Sequence, residues 1–279
     1  MSAIRRHPVP SYVLLAIAIA WGGAFMLLPA GDPGKEELDA LLAPVFVAMA
    51  LGPSLASVLL TALLDGRAGI KALFRGLVRW RMGVGYYLLA LVLVPATALL
   101  VLGLFSAFSP VFTPTLFGAA GGIPLLAAGV FVGLAAGLME ELGWTGFATR
   151  RLMIGRSVVA VGLTIGVLHG CWHLLVEYYW GEGASHGSLF VPYFIVAWVL
   201  PLTALRLLIV WVFQRTRSTL IAALMHASYT GALVMFWPVG ISPGEEMLWT
   251  GAFAAALGVA FVVLNVLGPK ADGFARDIG

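Results

Sequence analysis

Residues 121–146 read GGIPLLAAGVFVGLAAGLMEELGWTG, an apolar stretch that two adjacent glutamates interrupt near its end. A helix needs roughly 20 mostly apolar residues to cross a bilayer, so this stretch is predicted to contain a transmembrane helix. Gly133 and Gly137 lie four residues apart and form a small-residue face of the kind that packs against other helices in membranes. Glu140 and Glu141 follow at helical spacings from Gly133 and share that side. The two carboxylates are therefore predicted to point into a bundle, where two adjacent acids are not expected both to be ionised.

The rest of the chain repeats this apolar pattern. It has 279 residues, of which 61% are hydrophobic and 10% charged, whereas soluble proteins are about half apolar and a quarter charged. Eight spanning helices are predicted, at residues 10–29, 41–64, 85–107, 121–142, 157–176, 188–213, 218–238 and 248–268. Strands are not expected, because open sheet edges cannot face lipid. The predicted fold class is an all-α polytopic transmembrane bundle, a single domain over residues 1–279 with a motif-bearing core at 121–238.

The positions of the basic residues predict how this bundle is oriented. With the N-terminus in the cytoplasm, only Lys35 and Arg206 of the 16 lysines and arginines fall outside cytoplasmic segments. Those segments contain Arg5, Arg6, Arg67, Lys71, Arg75, Arg79, Arg81, Arg150, Arg151, Arg156, Arg215, Arg217, Lys270 and Arg276. Because cytoplasmic loops are enriched in Lys and Arg, both termini are predicted to be cytoplasmic, with the stretch Lys71–Arg81 along the membrane surface. Arg206 lies inside the sixth predicted helix, from which its side chain is expected to extend to the interface.

Composition also limits the partners and the location. The net charge of +3 is too small to indicate a nucleic-acid partner, so the lipid bilayer is the expected surrounding. Cys171 is the single cysteine, which excludes an intrachain disulfide, and it is predicted to be a small buried hydrophobe. The richness in Ala, Gly, Leu and Val indicates a multi-pass protein of a bacterial inner membrane.

Two further helices carry ionisable residues among small or polar ones, and such residues inside a span are functional-site candidates by default. In the fifth predicted helix one side carries Gly162, Gly166, His169, Gly170 and His173. In the seventh the residues at four-residue intervals are Ser218, Ala222, His226 and Thr230. We expect His173 and His226 to share a site with the two glutamates and retain His169 as a further candidate. The alternative is that these groups only mark packed interfaces between helices.

A second stretch, Glu245-Glu246-Met-Leu-Trp249-Thr250-Gly251, repeats the residue pattern found at 140–146. It opens the eighth predicted helix, where acidic side chains are favoured by the helix dipole, and no histidine pair accompanies it. We therefore predict that it is a coincidence or a remote repeat and not a second site.

Together, three short motifs resemble those of the CPBP family of intramembrane proteases, also called the Abi or CAAX-protease and bacteriocin-processing family. The family's Glu-Glu-x-x-x-Arg motif corresponds to EELGWTG at 140–146. Its second motif, an aromatic residue followed after three residues by His, corresponds to HGCWH at 169–173, with His169 in the place of the aromatic residue. Its third, His-x-x-x-Asn, corresponds to HASYT at 226–230.

Two positions depart from the family pattern. Thr145 stands where the first motif has arginine, and Thr230 where the third usually has asparagine. The first change removes a charge that would keep the glutamates ionised, and the second shortens a hydrogen-bond donor. Either is consistent with altered activity or with a relative that has lost catalysis.

The resemblance implies an endopeptidase that cleaves a membrane-embedded or lipidated peptide, with prenylated CAAX peptides as the family's best-known substrates. It implies that Glu140, as general base, and His173 activate a water molecule while Glu141 orients the site. His226 with Thr230 would donate hydrogen bonds to the oxyanion. Trp144 and His169 are further candidates for binding substrate or oxyanion, and the site is expected to open to the cytoplasmic half of the bilayer or sideways to lipid.

No cofactor is expected, but zinc is a competing possibility. His169 and His173 are four residues apart, and with Glu140 and His226 they could form a zinc site. Helix rise also sets the depths of these groups: Glu140 lies about 15 Å from Arg150, whereas His173 lies about 25 Å from Arg156. A tilted helix or an interfacial helix start would be needed to bring them together.

Two other functions remain consistent with the sequence. A catalytically altered relative could act as a bacteriocin-immunity or membrane scaffold protein, which the two threonines favour. Glu and His side chains also build proton relays, so a proton-coupled transporter is a third hypothesis, although paired broken helices in matching halves are not found.

Overall fold

The computed structural model describes residues 2–29, 34–118 and 121–269, which are helical and form no strand. Eight helices are long and apolar enough to cross a membrane. They are α1 (Pro8–Leu27), α2 (Leu42–Leu77), α3 (Val84–Ser106), α4 (Ile123–Leu152), α5 (Val158–Tyr179), α6 (His186–Thr216), α7 (Thr219–Phe236) and α8 (Pro243–Leu267). The predicted all-α, multi-pass bundle is thus confirmed. Its orientation and its single-domain organisation stay predictions, and Lys270 and Arg276 lie outside the described residues.

Short elements complete the chain between these helices. Helical turns cover Ser2–Arg6 and Lys35–Ala40, and 3-10 turns cover Pro110–Phe112 and Thr115–Phe117.

Several of the spanning helices are interrupted, and the interruptions in α2, α4 and α5 bear on the predicted spans and site. α2 breaks at Gly66, whose positive φ of 63° is open to glycine at little cost, so the span ends where it was predicted to end. α4 continues past residue 143 through a π-helical turn, Trp144–Thr149, a feature frequent at functional sites. In α5 the helix Val158–Trp172 ends at His173, and a short second helix follows.

The glycine face of α4 packs against α7, as predicted. A Cβ atom on Gly133 would lie 2.3 Å from the carbonyl oxygen of Ala227, and one on Gly137 would lie 2.2 Å from that of Ala223. Any larger residue would push the two helices apart. This close approach brings Glu141, one turn beyond Gly137, next to α7.

The glycine face of α5 packs in the same way against α6. A Cβ atom on Gly166 would lie 2.6 Å from the Cα atom of Thr203, and one on Gly170 would lie 2.8 Å from that of Val199. Arg206 follows Thr203 by three residues, so this contact carries it toward His169. Cys171, predicted to be buried, is instead exposed, because the packed side of α5 is the one that carries the glycines.

Candidate functional site

Five ionisable side chains from four helices meet in the interior of the bundle. Glu140 and Glu141 come from α4, His169 from α5, Arg206 from α6 and His226 from α7. Glu141, His169 and Arg206 are fully buried, and Glu140 and His226 are exposed by only 4% and 2%. Buried charges are stable only when they are paired, and the contacts show how this cluster achieves that.

Glu141 is surrounded by hydrogen-bond donors. Arg206 binds it in a bidentate manner, with Nη1 2.8 Å from Oε2 and Nη2 donating to Oε1. Thr145 donates its Oγ1 hydrogen to Oε2, and the Nδ1 atom of His226 lies 2.7 Å from Oε1. A carboxylate that accepts from all these groups is an ion-pair partner and an anchor, with no free lone pair directed at a substrate.

Arg206 was predicted to extend toward the interface, and this prediction is wrong. The side chain lies wholly inside the bundle, because α6 packs against the glycines of α5 and so faces Glu141. Sequence reasoning missed its role, although an arginine inside a span is itself a functional signal. The family's first motif has arginine where this chain has Thr145. That difference was a second signal that another cation must pair with the glutamates.

The tautomer of His169 follows from its contact with Arg206. The Nε atom of Arg206 donates to Nδ1 of His169 across 3.0 Å. Arginine has no acceptor, so this Nδ1 carries no hydrogen and the ring proton lies on Nε2. The Nε2–H group therefore donates to Oε2 of Glu140, at 2.9 Å. His169 thus orients Glu140 and leaves its other oxygen available.

This pairing also explains part of the difference in depth that the sequence predicted between Glu140 on α4 and the histidine site on α5. Glu140 contacts His169, which lies one helical turn nearer to Arg156 than His173 does. The difference in depth between the paired groups is correspondingly smaller by about 6 Å. His169, the lesser candidate from sequence, holds the direct contact with Glu140.

His173 and Thr230 face a cavity above this cluster. The ring centre of His173 lies 5.4 Å from that of His169 and 5.3 Å from that of Trp198. Within the described residues no hydrogen bond engages the His173 imidazole or the Thr230 hydroxyl, although the His173 backbone is bonded within α5. Both side chains are only partly buried and line the cavity, so they are available to water or substrate.

His226 joins the two glutamates. Because Glu141 is an acceptor, the Nδ1 atom of His226 carries the hydrogen of their 2.7 Å contact. Its Nε2 atom lies 4.0 Å from Oε2 of Glu140, beyond direct hydrogen-bond range.

The cavity has a volume of about 270 Å³ and is mostly apolar. Its polar and ionisable lining residues include Glu140, His173, His226 and Thr230. Its residues from α4, such as Val132, precede Glu140 in the chain, and those from α7, such as Leu233, follow His226. The cavity therefore extends toward the end of the bundle where α4 begins. Arg150 and Arg217 lie at the opposite end.

Trp144, a candidate for substrate binding, does not reach this cavity. It is fully buried behind His169, with ring centres 4.9 Å apart, and contacts Tyr12 and Trp172 edge-on. Its position supports the His169 ring by packing, and its role in binding substrate stays a prediction.

A metal ion would require a different arrangement of these groups. Glu140, His169 and His173 can each offer one ligand atom within 4.8 Å of the others, which is the geometry of a potential zinc site. Both ring nitrogens of His169 are already engaged, however, by Arg206 and Glu140. The donor set as it stands does not fit a metal, and the absence of a cofactor stays a prediction.

Comparison with known families agrees with the motifs. Residues 122–232 match a family model described as type II CAAX prenyl endopeptidase Rce1-like. The matched segment contains both glutamates, the three histidines of the site, Arg206 and Thr230. No curated protein matches the chain. The resemblance drawn from the three motifs is thereby confirmed.

Proposed function

We propose that this protein is an intramembrane endopeptidase, and the match of residues 122–232 to the Rce1-like family model supports this proposal. One observation carries the proposal. A buried carboxylate, Glu140, is oriented by His169 at 2.9 Å and lies at the floor of a cavity beside His173 and His226. A base, an imidazole and hydrogen-bond donors around one space are what water-mediated peptide hydrolysis needs.

The proposed reaction begins with a water molecule held between Glu140 and His173. Glu140 removes a proton from this water as its oxygen bonds to the scissile carbonyl carbon. The oxyanion that forms accepts hydrogen bonds from Nε2–H of protonated His226 and from Thr230. Glu140 then gives the proton to the leaving nitrogen as the carbon–nitrogen bond breaks, and the carboxylate is restored.

Arg206 fits this scheme as a positioning residue. It pairs with Glu141, and Glu141 in turn accepts from Nδ1–H of His226 and so holds that imidazole in position at the oxyanion. The family's first motif carries an arginine at the position of Thr145. We propose that Arg206 supplies that missing charge from α6 and that Thr145 leaves room for it while donating to the same carboxylate. The departure at 145 then does not argue for lost catalysis.

The shape of the cavity bears on the substrate. It extends away from Arg150 and Arg217, which lie toward the other ends of α4 and α7. If the basic end is cytoplasmic, as the distribution of Lys and Arg predicts, the substrate enters from the outer half of the membrane. This differs from an opening to the cytoplasmic half, one of the two openings expected from sequence, the other being sideways to lipid. It favours an apolar, membrane-embedded peptide over a cytoplasmic prenylated CAAX peptide. We place the protein in a bacterial inner membrane.

Cysteine labelling tests the side of entry. In a Cys171→Ser background, Val132→Cys should react with an impermeant maleimide added from outside intact cells, and Arg150→Cys should not. Labelling of Arg150→Cys alone from outside would reverse the orientation and with it the proposed side of entry.

The test of function is cleavage of a peptide library, containing farnesylated CAAX and transmembrane peptides, by purified protein in liposomes. Glu140→Gln is the inactive variant and Glu245→Gln the matched control. We expect cleavage by the wild type and by the control that persists in a zinc chelator. If the chelator abolishes cleavage and added zinc restores it, the metal-free mechanism is wrong and the enzyme depends on zinc.

The absence of cleavage of every peptide would favour the alternative, a bacteriocin-immunity or scaffold protein that binds a membrane partner. A proton-coupled transporter would instead show uptake into the same liposomes.

A further inference from the structure

A second cavity lies at the opposite end of the bundle and belongs to no part of the proposed site. Its volume is about 260 Å³, and four arginines line it: Arg75, Arg79, Arg150 and Arg217. No acidic side chain is among the described residues that line it. Arg75, Arg79 and Arg150 are exposed arginines from separate parts of the fold, and their positive charges around one cavity favour an anion there.

The four arginines come from separate parts of the chain. Arg75 and Arg79 follow the break at Gly66, Arg150 lies near the end of α4, and Arg217 forms the left-handed link between α6 and α7. Ser218 donates to the carbonyl oxygen of Arg79 at 2.7 Å and joins that link to the segment after Gly66. The cavity is thus built by the tertiary fold and is not a run of neighbouring charges.

The backbone adds to the positive potential. Thr219, the first residue of α7, also lines the cavity. Ser218 caps this helix by accepting from the N–H group of Ile221, and the helix dipole still favours an anion at this end. The nearby acid Asp65 lies in an adjoining cavity and is paired with Arg151.

We propose that this cavity binds the phosphate group of an anionic phospholipid. Arginine pairs with phosphate through two parallel hydrogen bonds, which matches several guanidinium groups around one site. The segment after Gly66 also exposes Phe74, Val78 and Trp80, by 45%, 69% and 61%. Apolar side chains next to a basic cavity place acyl chains beside the headgroup, as in interfacial helices and basic lipid pockets.

Thermal unfolding in detergent tests the proposal. Phosphatidylglycerol should raise the Tm of the wild type in a saturable manner, and phosphatidylcholine should not. Inorganic phosphate is added in a separate arm, where a rise in Tm equal to that with phosphatidylglycerol would overturn the lipid as the ligand. The double variant Arg75→Gln, Arg150→Gln should raise the half-saturating lipid concentration by about tenfold or more, since charged bidentate contacts are lost.

The matched control is Arg67→Gln, Arg156→Gln, which removes two arginines at the same end of the bundle that do not line the cavity. It should keep the wild-type response. An equal loss of lipid affinity in both double variants would show that the effect comes from diffuse surface charge. That result would overturn the proposed binding site. If the first double variant does not fold, Arg79→Gln alone gives the same comparison. The proposal is also overturned if phosphatidylcholine raises the Tm by as much as phosphatidylglycerol does.

Discussion

The chain contains the pattern Glu-Glu-x-x-Trp-Thr-Gly twice, and the two copies have different surroundings. Glu140 and Glu141 lie deep in α4 and meet two histidines and Arg206. Glu245 and Glu246 open α8, where Glu245 forms a capping box with Ser242. The difference shows that position along a helix, and the side chains that the neighbouring helices offer, decide what an acidic pair does.

The threonine of each copy shows the same contrast on a smaller scale. Thr250 donates its hydroxyl to the backbone carbonyl of Glu246 at 2.6 Å, an ordinary bond within a helix. Thr145 donates to the side-chain carboxylate of Glu141 instead. Equal spacing in sequence therefore gives a structural contact in one copy and a contact with the proposed reaction site in the other.

The largest expected effect comes from the glutamates themselves. Glu140→Gln should lower kcat by about 10² to 10⁴, because general-base catalysis contributes on that order. Glu245→Gln should leave kcat within about twofold, since the changed group lies outside the site. Steady-state cleavage of one peptide by both purified variants checks this, and equal losses in the two would contradict the comparison.

Arg206 provides the next largest effect. Arg206→Met should lower kcat and destabilise the protein by about 3–5 kcal/mol, because Glu141 becomes a buried unpaired charge. Adding Thr145→Arg should restore part of both losses, because it returns a cation to the family's position one helical turn from Glu141. Arg215→Met, near the end of the same helix, is the control and should have little effect on kcat. If the folded Arg206→Met, Thr145→Arg variant regains no activity, the proposal that Arg206 replaces the family's arginine at position 145 is refuted.

The two threonines give a smaller and more local test. Thr145→Val removes a hydrogen bond to a charged group, worth about 1.5–3 kcal/mol, and should reduce kcat/KM by about tenfold or more. Thr250→Val removes a bond to a backbone carbonyl and should leave kcat/KM near the wild-type value. The opposite ranking in kcat/KM would show that Thr145 has no part in holding Glu141.

The smallest effect is expected at the cap of the second pair. Ser242→Ala should lower stability by about 1 kcal/mol, the usual value of an N-cap, and leave turnover unchanged. Chemical unfolding together with the peptide assay measures both quantities. A loss of turnover without a loss of stability would give the second acidic pair a functional role.

Much of the fold was predictable because hydropathy and length specify spanning helices directly. All eight spans and the packing of Gly133 and Gly137 follow from local composition and spacing. The second acidic pair was also interpreted correctly as a helix start, since Ser242, Pro243 and Glu245 form a recognisable N-terminal pattern.

The contacts between helices were less accessible from sequence. His169 and His173 share one side of α5, so only the relative depth of α4 and α5 decides which of them contacts Glu140. Arg206 pairs with Glu141 over 65 positions in the chain, and no local pattern encodes that distance. Trp144 was a substrate candidate because its neighbours form the motif, but burial behind His169 gives it a packing role.

The central claim is that Glu140 activates a water molecule, and cleavage in H₂¹⁸O tests it most directly. The wild type should place one ¹⁸O atom in the new carboxyl group of the product, as mass spectrometry detects, and folded Glu140→Gln should form almost no labelled product in the same time. Labelled product from Glu140→Gln at the wild-type rate would contradict the account.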